Sequence, residues 1–166
     1  MQVVEGTATV ADVDEFVERL GAIGDEYGVA VQAFDARYVV DRAHLERAVE
    51  LADRAFERGE GIARDRAVEI LLYAAGRRQI NRALAMGVGE GESAVVAVVH
   101  DPTGNGDEGA PATAVAELLE PGETLGQYDE ALVREFFEIG DAELDATSGA
   151  LADLVRERVA LLTVER

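Results

Sequence analysis

The sequence contains neither cysteine nor lysine. Without cysteine, the protein cannot form a disulfide, use a thiolate nucleophile or bind a metal through thiolates. No apolar run approaches the roughly 20 residues of a membrane-spanning helix, and no basic segment followed by an apolar one opens the sequence as a secretory leader would. We therefore expect a cytoplasmic protein.

The charges are unbalanced, because 34 acids face 15 arginines and the formal net charge is −19. At about 1 M salt the Debye length falls to roughly 3 Å, so surface carboxylates hardly repel one another, and acidic residues also favour solubility. The alternative is an acidic protein that binds a basic partner. We weight it lower because the acids are spread evenly along the chain. The composition therefore predicts a protein of a halophilic cytoplasm.

Apolar periodicity predicts helices that alternate with a few strands in one domain, residues 1–166. Strands are predicted at 3–10, 29–34 and 93–100, and the last is apolar on both faces, as a central strand is. Helices are predicted after the caps Asp12, Asp41 and Asp65, and at 77–86, 113–119, 129–139 and 151–162. This order predicts an α/β or α+β fold with a small mixed sheet packed against several helices.

No catalytic, cofactor or metal motif is recognisable. His44, one turn into a helix, is predicted to lie on the surface, and His100, at a strand end without a visible partner, is predicted to be structural. The glycines of "GVGEGES" precede a strand, whereas a phosphate loop precedes a helix. "DPTGNGDEGAPA" has Ala112 where a calcium loop needs a bidentate glutamate. We expect no cofactor, no metal and no enzymatic activity.

One segment departs from the acidic composition. Between Ile70 and Gly89 there is no acid, while Arg77, Arg78 and Arg82 fall within six positions. On a helix Arg78 and Arg82 would share a face, beside the apolar Ile80 and Leu84 and downstream of Tyr73. Arg64 and Arg66 add positive charge at the start of the preceding helix. We refer to Arg77, Arg78 and Arg82 as the basic island.

Two interpretations of the basic island remain open. The arginines pair with acids elsewhere in the chain, as surface ion pairs commonly do. Alternatively, they hold phosphates beside an apolar and aromatic surface for unpaired bases, which is how single-stranded nucleic acid is bound. Phosphate contacts weaken steeply with salt, whereas base burial does not depend on counterion release. A small site of this second kind suits a single-stranded tail in concentrated salt.

The segment "EILLYAAGRRQINRAL", with "AFDARYVVDRAHLERAVELADRAFERG" before it and "ERVALL" near the end, resembles a known family. This is the small regulatory subunit of the KEOPS complex, the p53-related-kinase-binding protein and its archaeal Cgi-type counterparts. The matching positions are Glu69, Leu71, Leu72, Tyr73, Gly76, Arg77, Arg78, Gln79, Ile80, Ala83 and Leu84. The resemblance implies a compact α/β fold without catalytic activity.

The resemblance also implies two partners. Family members bind the kinase-like ATPase subunit of KEOPS and stimulate the synthesis of threonylcarbamoyladenosine in tRNA. Archaeal members hold tRNA by its single-stranded 3′ CCA end. The residues expected to contact tRNA are Arg64, Tyr73, Arg77, Arg78, Gln79, Ile80 and Arg82.

The closing helix is the candidate for the kinase-like partner. Its apolar stripe favours a core-facing helix with Arg158 reaching to solvent. The resemblance raises the alternative that part of the stripe docks the partner through Phe136, Phe137, Leu154, Val155, Arg158 and Leu162. We therefore carry two hypotheses: a regulatory subunit that binds tRNA, and a subunit that activates a kinase-like partner by contact without binding RNA.

Overall fold

A four-stranded antiparallel sheet organises the computed structural model, which describes residues 1–165, with side chains through residue 164. The strands are β1 (Gln2–Val10), β2 (Ala30–Asp35), β3 (Gly91–His100) and β4 (Glu120–Pro121). Their order is β2-β3-β1-β4, so β3 is an interior strand, as its apolar sequence predicts. The α+β class is confirmed, but every pairing among the described strands is antiparallel and the sheet is not mixed.

Eight α-helices lie within the described residues. They are α1 (Val13–Tyr27), α2 (Arg42–Glu57), α3 (Arg66–Ala75), α4 (Ile80–Ala83), α5 (Gly109–Ala116), α6 (Glu130–Phe136), α7 (Asp141–Ala146) and α8 (Leu151–Glu165). The predicted caps are confirmed, because Asp12, Asp41 and Asp65 each accept a hydrogen bond from a backbone N–H of the first turn. No described helix combines the length and the apolar character needed to cross a bilayer.

Two short elements were not predicted from the sequence. Helix α7 buries none of its residues, so it has no apolar periodicity to reveal it. Strand β4 has only two residues, and it is defined by its pairing with Gly6 and Thr7 of β1. In addition, the helix predicted at 113–119 begins earlier, at Gly109.

The sheet is covered on both faces. Val96 and Val98 of β3 point into a core shared with α2, α3 and α8. Val95, Ala97 and Val99 alternate with them and point into a second core under α1 and α5. Alternation along one strand thus divides the molecule into two apolar layers.

His44 is fully buried, so the prediction that it lies on the surface is wrong. Its Nδ1 accepts a hydrogen bond from the Val40 N–H at 3.4 Å, and its Nε2 lies 2.8 Å from the Ala74 carbonyl oxygen. These contacts require the neutral ring with its proton on Nε2. Burial lowers the pKa of His44, which keeps the ring neutral. The side chain therefore links the start of α2 to the end of α3.

Candidate functional site

The basic island does not lie on one helix. Helix α3 ends at Gly76, whose φ is +62°, and Arg77 and Arg78 occupy the connection that leads to α4. The Arg77 N–H donates to the Leu72 carbonyl oxygen, which closes the helix end. A Cβ on residue 76 would lie 3.1 Å from the Arg158 carbonyl oxygen of α8. Glycine is therefore required both for the left-handed turn and for the close approach of α8.

Arg77 is held in a defined position by α6. Its guanidinium donates a hydrogen bond to the Phe136 carbonyl oxygen. The same guanidinium lies over the Phe136 ring, 5.1 Å from the ring centre. Both contacts are made to a residue 59 positions away in the sequence.

Arg77 and Arg82 line a common cavity of about 430 Å³, which we name the arginine cavity. Two aromatic side chains, Tyr38 and Phe136, form part of its wall, with ring centres 5.5 Å apart in an edge-to-face arrangement. The other lining residues are Asn81, Ala85, Leu132, Glu135 and Glu138. This volume is in the range of small-ligand sites.

The arginines of the basic island make no ion pair among the side chains of residues 1–164. Elsewhere in the described chain, eight arginines pair with acids: Arg37, Arg42, Arg47, Arg54, Arg66, Arg134, Arg156 and Arg158. Arg77 is half-buried and Arg82 is exposed. The arginines at the arginine cavity are therefore not held in direct ion pairs by the described carboxylates, in contrast to the first interpretation of the basic island.

Three further residues expected to contact tRNA lie beside the arginine cavity without lining it. Arg78, Gln79 and Ile80 are consecutive and exposed, and 47% of Ile80 is accessible. They lead from the end of α3 into α4, directly after Arg77. A polymeric ligand that extends from the arginine cavity toward the start of α4 would contact them next.

Arg64 lies on a separate segment, the loop that precedes α3. The Glu69 carboxylate is buried beneath this loop and accepts hydrogen bonds from the Ile62 and Ala63 N–H groups at 3.1 and 2.7 Å. Arg64 itself is exposed and does not line the arginine cavity. The matched Glu69 therefore shapes the loop and is not accessible to a ligand.

Tyr73 is fully buried in the core, so its ring is not available to stack on a base in this structure. It lies in the middle of α3, where every residue from Glu69 to Ala75 is buried. Tyr38 and Phe136 are the aromatic residues at the arginine cavity instead. Sequence reasoning missed Tyr38, Glu135 and Glu138, because no local pattern relates these positions to Arg77, and it also missed Asn81, an uncharged residue next to Arg82.

A sequence model of the family described as kinase binding protein CGI-121 matches residues 9–163. The chain belongs to this family. The match includes every residue of the arginine cavity. It confirms at the family level the resemblance inferred from the "EILLYAAGRRQINRAL" segment. No curated protein matches the chain.

In this CGI-121 protein the apolar stripe of α8 faces the core. Phe137, Leu154, Val155 and Leu162 are each no more than 5% accessible. Helix α8 packs against α2 and α3, and these residues belong to the core beneath that contact. The four side chains therefore cannot contact a partner in this structure, and the core-facing interpretation of the stripe holds.

Arg158, which was expected to contact the partner, makes several contacts within the protein. Its guanidinium binds the Glu143 carboxylate with two short contacts, at 2.5 and 2.7 Å. It also donates to the carbonyl oxygens of Phe137 and Glu138. Hydrogen bonding to Glu143 raises the pKa of Arg158, and the same bonds lower the pKa of Glu143. Arg158 thus fixes the end of α6, where Glu138 has a φ of +56°.

The accessible apolar residues of α8 lie near its end. Leu161 and Val164 are 38% and 79% accessible. Leu161 lines a small cavity of about 200 Å³ together with Gly76, Arg77 and Arg158. The end of α8 is therefore adjacent to the segment that carries the basic island.

His100 belongs to a group of charged residues that does not line the arginine cavity. Its Nε2 lies 2.7 Å from an Asp53 carboxylate oxygen, and its Nδ1 lies 3.8 Å from Glu108, which also binds the Met1 amino group. Burial raises the pKa of Asp53, but hydrogen bonds and charge from His100 and Arg66 outweigh burial and hold it below its ordinary value. Among the side chains that the structure describes, no group of three histidines and acids is arranged to hold a metal ion. The network connects α2 and the end of β3 with the chain start.

Proposed function

We propose that this CGI-121 protein is the non-catalytic regulatory subunit of a KEOPS complex. In this role it binds the kinase-like ATPase subunit, holds the single-stranded 3′ CCA end of tRNA and supports threonylcarbamoyladenosine modification. The family match supports the kinase partner. The observation that carries the tRNA part is the arginine cavity, with two arginines that make no ion pair with a described side chain, beside two aromatic rings.

The chemistry of the arginine cavity suits an RNA end. Single-stranded nucleic acid is held by cations that contact the backbone and by aromatic rings that contact the bases, and stacking contributes about 1–3 kcal/mol per base. Arg77 and Arg82 supply the cations, and Tyr38 and Phe136 supply the rings. Arg78, Gln79 and Ile80 extend the site toward the preceding nucleotides. In this proposal Tyr73 supports α3 from the core and does not touch RNA.

The kinase-like partner requires a second surface. Leu161 and Val164 are the large apolar residues that α8 exposes within its described part. We place the docking surface around them, in contrast to the buried stripe of Leu154, Val155 and Leu162. Phe137 and Arg158 support this surface from beneath, because Arg158 holds the end of α6. The surface adjoins Gly76 and Arg77, so the two partners would lie side by side.

The decisive experiment measures binding of the isolated protein to tRNA with and without its CCA end, in molar KCl. We expect trimming of CCA to weaken binding at least tenfold, because the arginine cavity then loses its ligand. Phe136→Leu keeps apolar volume but removes the ring, and we expect it to weaken binding of intact tRNA about tenfold. Tyr27→Leu, which alters a 40% accessible aromatic residue on α1, is the matched control.

Equal binding of intact and trimmed tRNA would instead favour the hypothesis of a subunit that acts by protein contact alone. Association with the kinase-like ATPase subunit is measured in parallel by co-elution. Since the two surfaces are different, loss of tRNA binding need not alter co-elution.

A further inference from the structure

Two carboxylates line the arginine cavity without neutralising its arginines. Glu135 and Glu138 share this lining with Arg77 and Arg82. No nitrogen of these arginines is within 4.0 Å of an oxygen of these carboxylates. The arginine cavity thus presents both cationic donors and anionic acceptors that are free to bind a ligand.

The positions of the two glutamates are set by the backbone. Glu135 precedes Phe136, whose carbonyl oxygen binds Arg77. Glu138 adopts a φ of +56°, and its carbonyl oxygen accepts a hydrogen bond from Arg158 at 3.2 Å. Both side chains are exposed. The arginine cavity therefore presents donors from one segment and acceptors from another.

We propose that Glu135 and Glu138 recognise the free 2′,3′-diol of the terminal ribose. This inference rests on the proposed function, in which the arginine cavity holds an RNA 3′ end. A carboxylate only accepts hydrogen bonds, and a hydroxyl that donates to it makes a strong, charge-assisted bond. The arginines take the internal phosphates, and the glutamates take the hydroxyl groups at the end of the chain.

The two carboxylates also discriminate against other kinds of RNA 3′ end. A 3′-terminal phosphate would bring negative charge against both carboxylates, which is unfavourable at short range. An end without hydroxyl groups would leave the carboxylates without donors. The site therefore selects a mature RNA end over a 3′-phosphorylated one.

The test compares three short 5′-labelled RNAs that end in CCA and differ only at the last ribose: a free diol, a 3′-phosphate and a 2′,3′-dideoxy end. Binding to the full-length protein is measured by fluorescence anisotropy in molar KCl. We expect the 3′-phosphate and the dideoxy end each to bind at least about tenfold more weakly than the diol, as loss of charge-assisted hydrogen bonds predicts. Equal affinity for the diol and the dideoxy end would overturn the proposal.

Variants assign the discrimination to the two residues. The double variant Glu135→Gln, Glu138→Gln should bind the 3′-phosphate more tightly than the wild type does and should lose most of its preference for the diol. Glu130→Gln removes the same charge from an exposed position of α6 outside the arginine cavity and should behave as wild type. If the double variant discriminates as the wild type does, the carboxylates do not recognise the diol. Failure of the wild type to bind any of the three RNAs would contradict the proposed function itself.

Discussion

Arg77 and Arg82 have the same charge but differ in how the protein holds them. Arg77 is fixed by the Phe136 carbonyl oxygen and ring, so it has a structural contribution as well. Arg82 is exposed and makes no ion pair with any described side chain, residues 1–164. A change at Arg82 therefore tests ligand binding with little effect on the fold.

We predict that Arg82→Glu lowers the affinity for tRNA and flattens its dependence on salt. Removal of one phosphate contact should reduce the slope of log affinity against log salt by about 0.7, because fewer counterions are released. The measurement is a salt titration of binding. Arg19→Glu, which reverses an exposed arginine on α1, is the control and should leave the slope unchanged. A wild-type slope for Arg82→Glu would argue against phosphate binding at this residue.

His44 should make stability depend on pH. Because burial lowers its pKa in the folded state, the unfolded chain binds a proton that the folded chain does not. Its contribution to stability is therefore present above the unfolded pKa of about 6.5 and is lost as the pH falls below it, with a slope of at most about 1.4 kcal/mol per pH unit.

His44→Asn keeps an acceptor near the Val40 N–H but does not titrate. We expect the variant to be less stable than the wild type at pH 8, and the difference to shrink as the pH falls from 6.5 to 5. The free energy of unfolding in urea at each pH measures this. A difference that stays constant over the range would show that His44 titrates equally in both states.

Among the helices and strands, the end of α3 has the strictest sequence requirement, which is for glycine at residue 76. Its turn at Gly76 places Arg77 toward α6 and allows α8 to approach. The buried stripe of α8 also holds α8 against α3, because Leu154, Val155 and Leu162 pack in the core with α2 and α3. Helix α8 thus both stabilises the fold and exposes Leu161 and Val164 near its end.

We predict that Gly76→Ala destabilises the protein more than Gly28→Ala does. Both glycines have a positive φ, +62° and +67°, so alanine costs about 1–2 kcal/mol of backbone strain at either position. Only at residue 76 does the new Cβ also meet the Arg158 carbonyl, since a Cβ at residue 28 has no atom within 4 Å. Urea unfolding of the two variants gives the difference. Equal destabilisation would mean that α8 moves away without cost.

Neighbouring leucines of α8 should separate folding from docking. We expect Leu161→Asp to remain folded and to lose co-elution with the kinase-like ATPase subunit, because Leu161 is 38% accessible. Leu162→Asp should unfold the protein, since it places an unpaired charge at a position that is only 1% accessible. Val17→Asp alters a 58% accessible residue on α1 and should bind as wild type. Circular dichroism confirms folding, and a folded Leu161→Asp that still co-elutes would exclude this surface.

For the whole molecule, the dominant feature is uncompensated negative charge. The net charge of −19 lies on a compact body in which several described ion pairs are local, between residues three or four positions apart on one helix. Such pairs contribute little at the surface. Repulsion among the remaining acids therefore opposes folding at low ionic strength.

We predict that the free energy of unfolding rises between 0.1 and 1 M KCl. Over this range the Debye length falls from about 10 Å to about 3 Å, which screens the repulsion. Urea unfolding at each salt concentration measures the change. Sucrose at equal osmolality carries no charge and should stabilise less. An unfolding midpoint that does not change with KCl would contradict the interpretation of a halophilic protein.

The sequence by itself determined the features that depend on neighbouring residues. The caps Asp12, Asp41 and Asp65 and the stops Gly28 and Gly76 act within one helical turn, so their positions could be predicted. The central position of β3 followed from its continuous apolar run. The family could be inferred because its matching residues form a nearly continuous segment.

The tertiary structure alone decided which residues share a site. Tyr38, Arg77 and Phe136 meet in the arginine cavity although about 40 and 59 positions separate them, and no periodicity relates such distances. The tertiary structure also decided which side chains are exposed. Tyr73 and His44 are polar residues on helices, yet both are fully buried because α2, α3 and α8 pack against one another. Sequence patterns report the contacts that a residue makes along its own element, whereas packing between elements sets which side chains a ligand can reach.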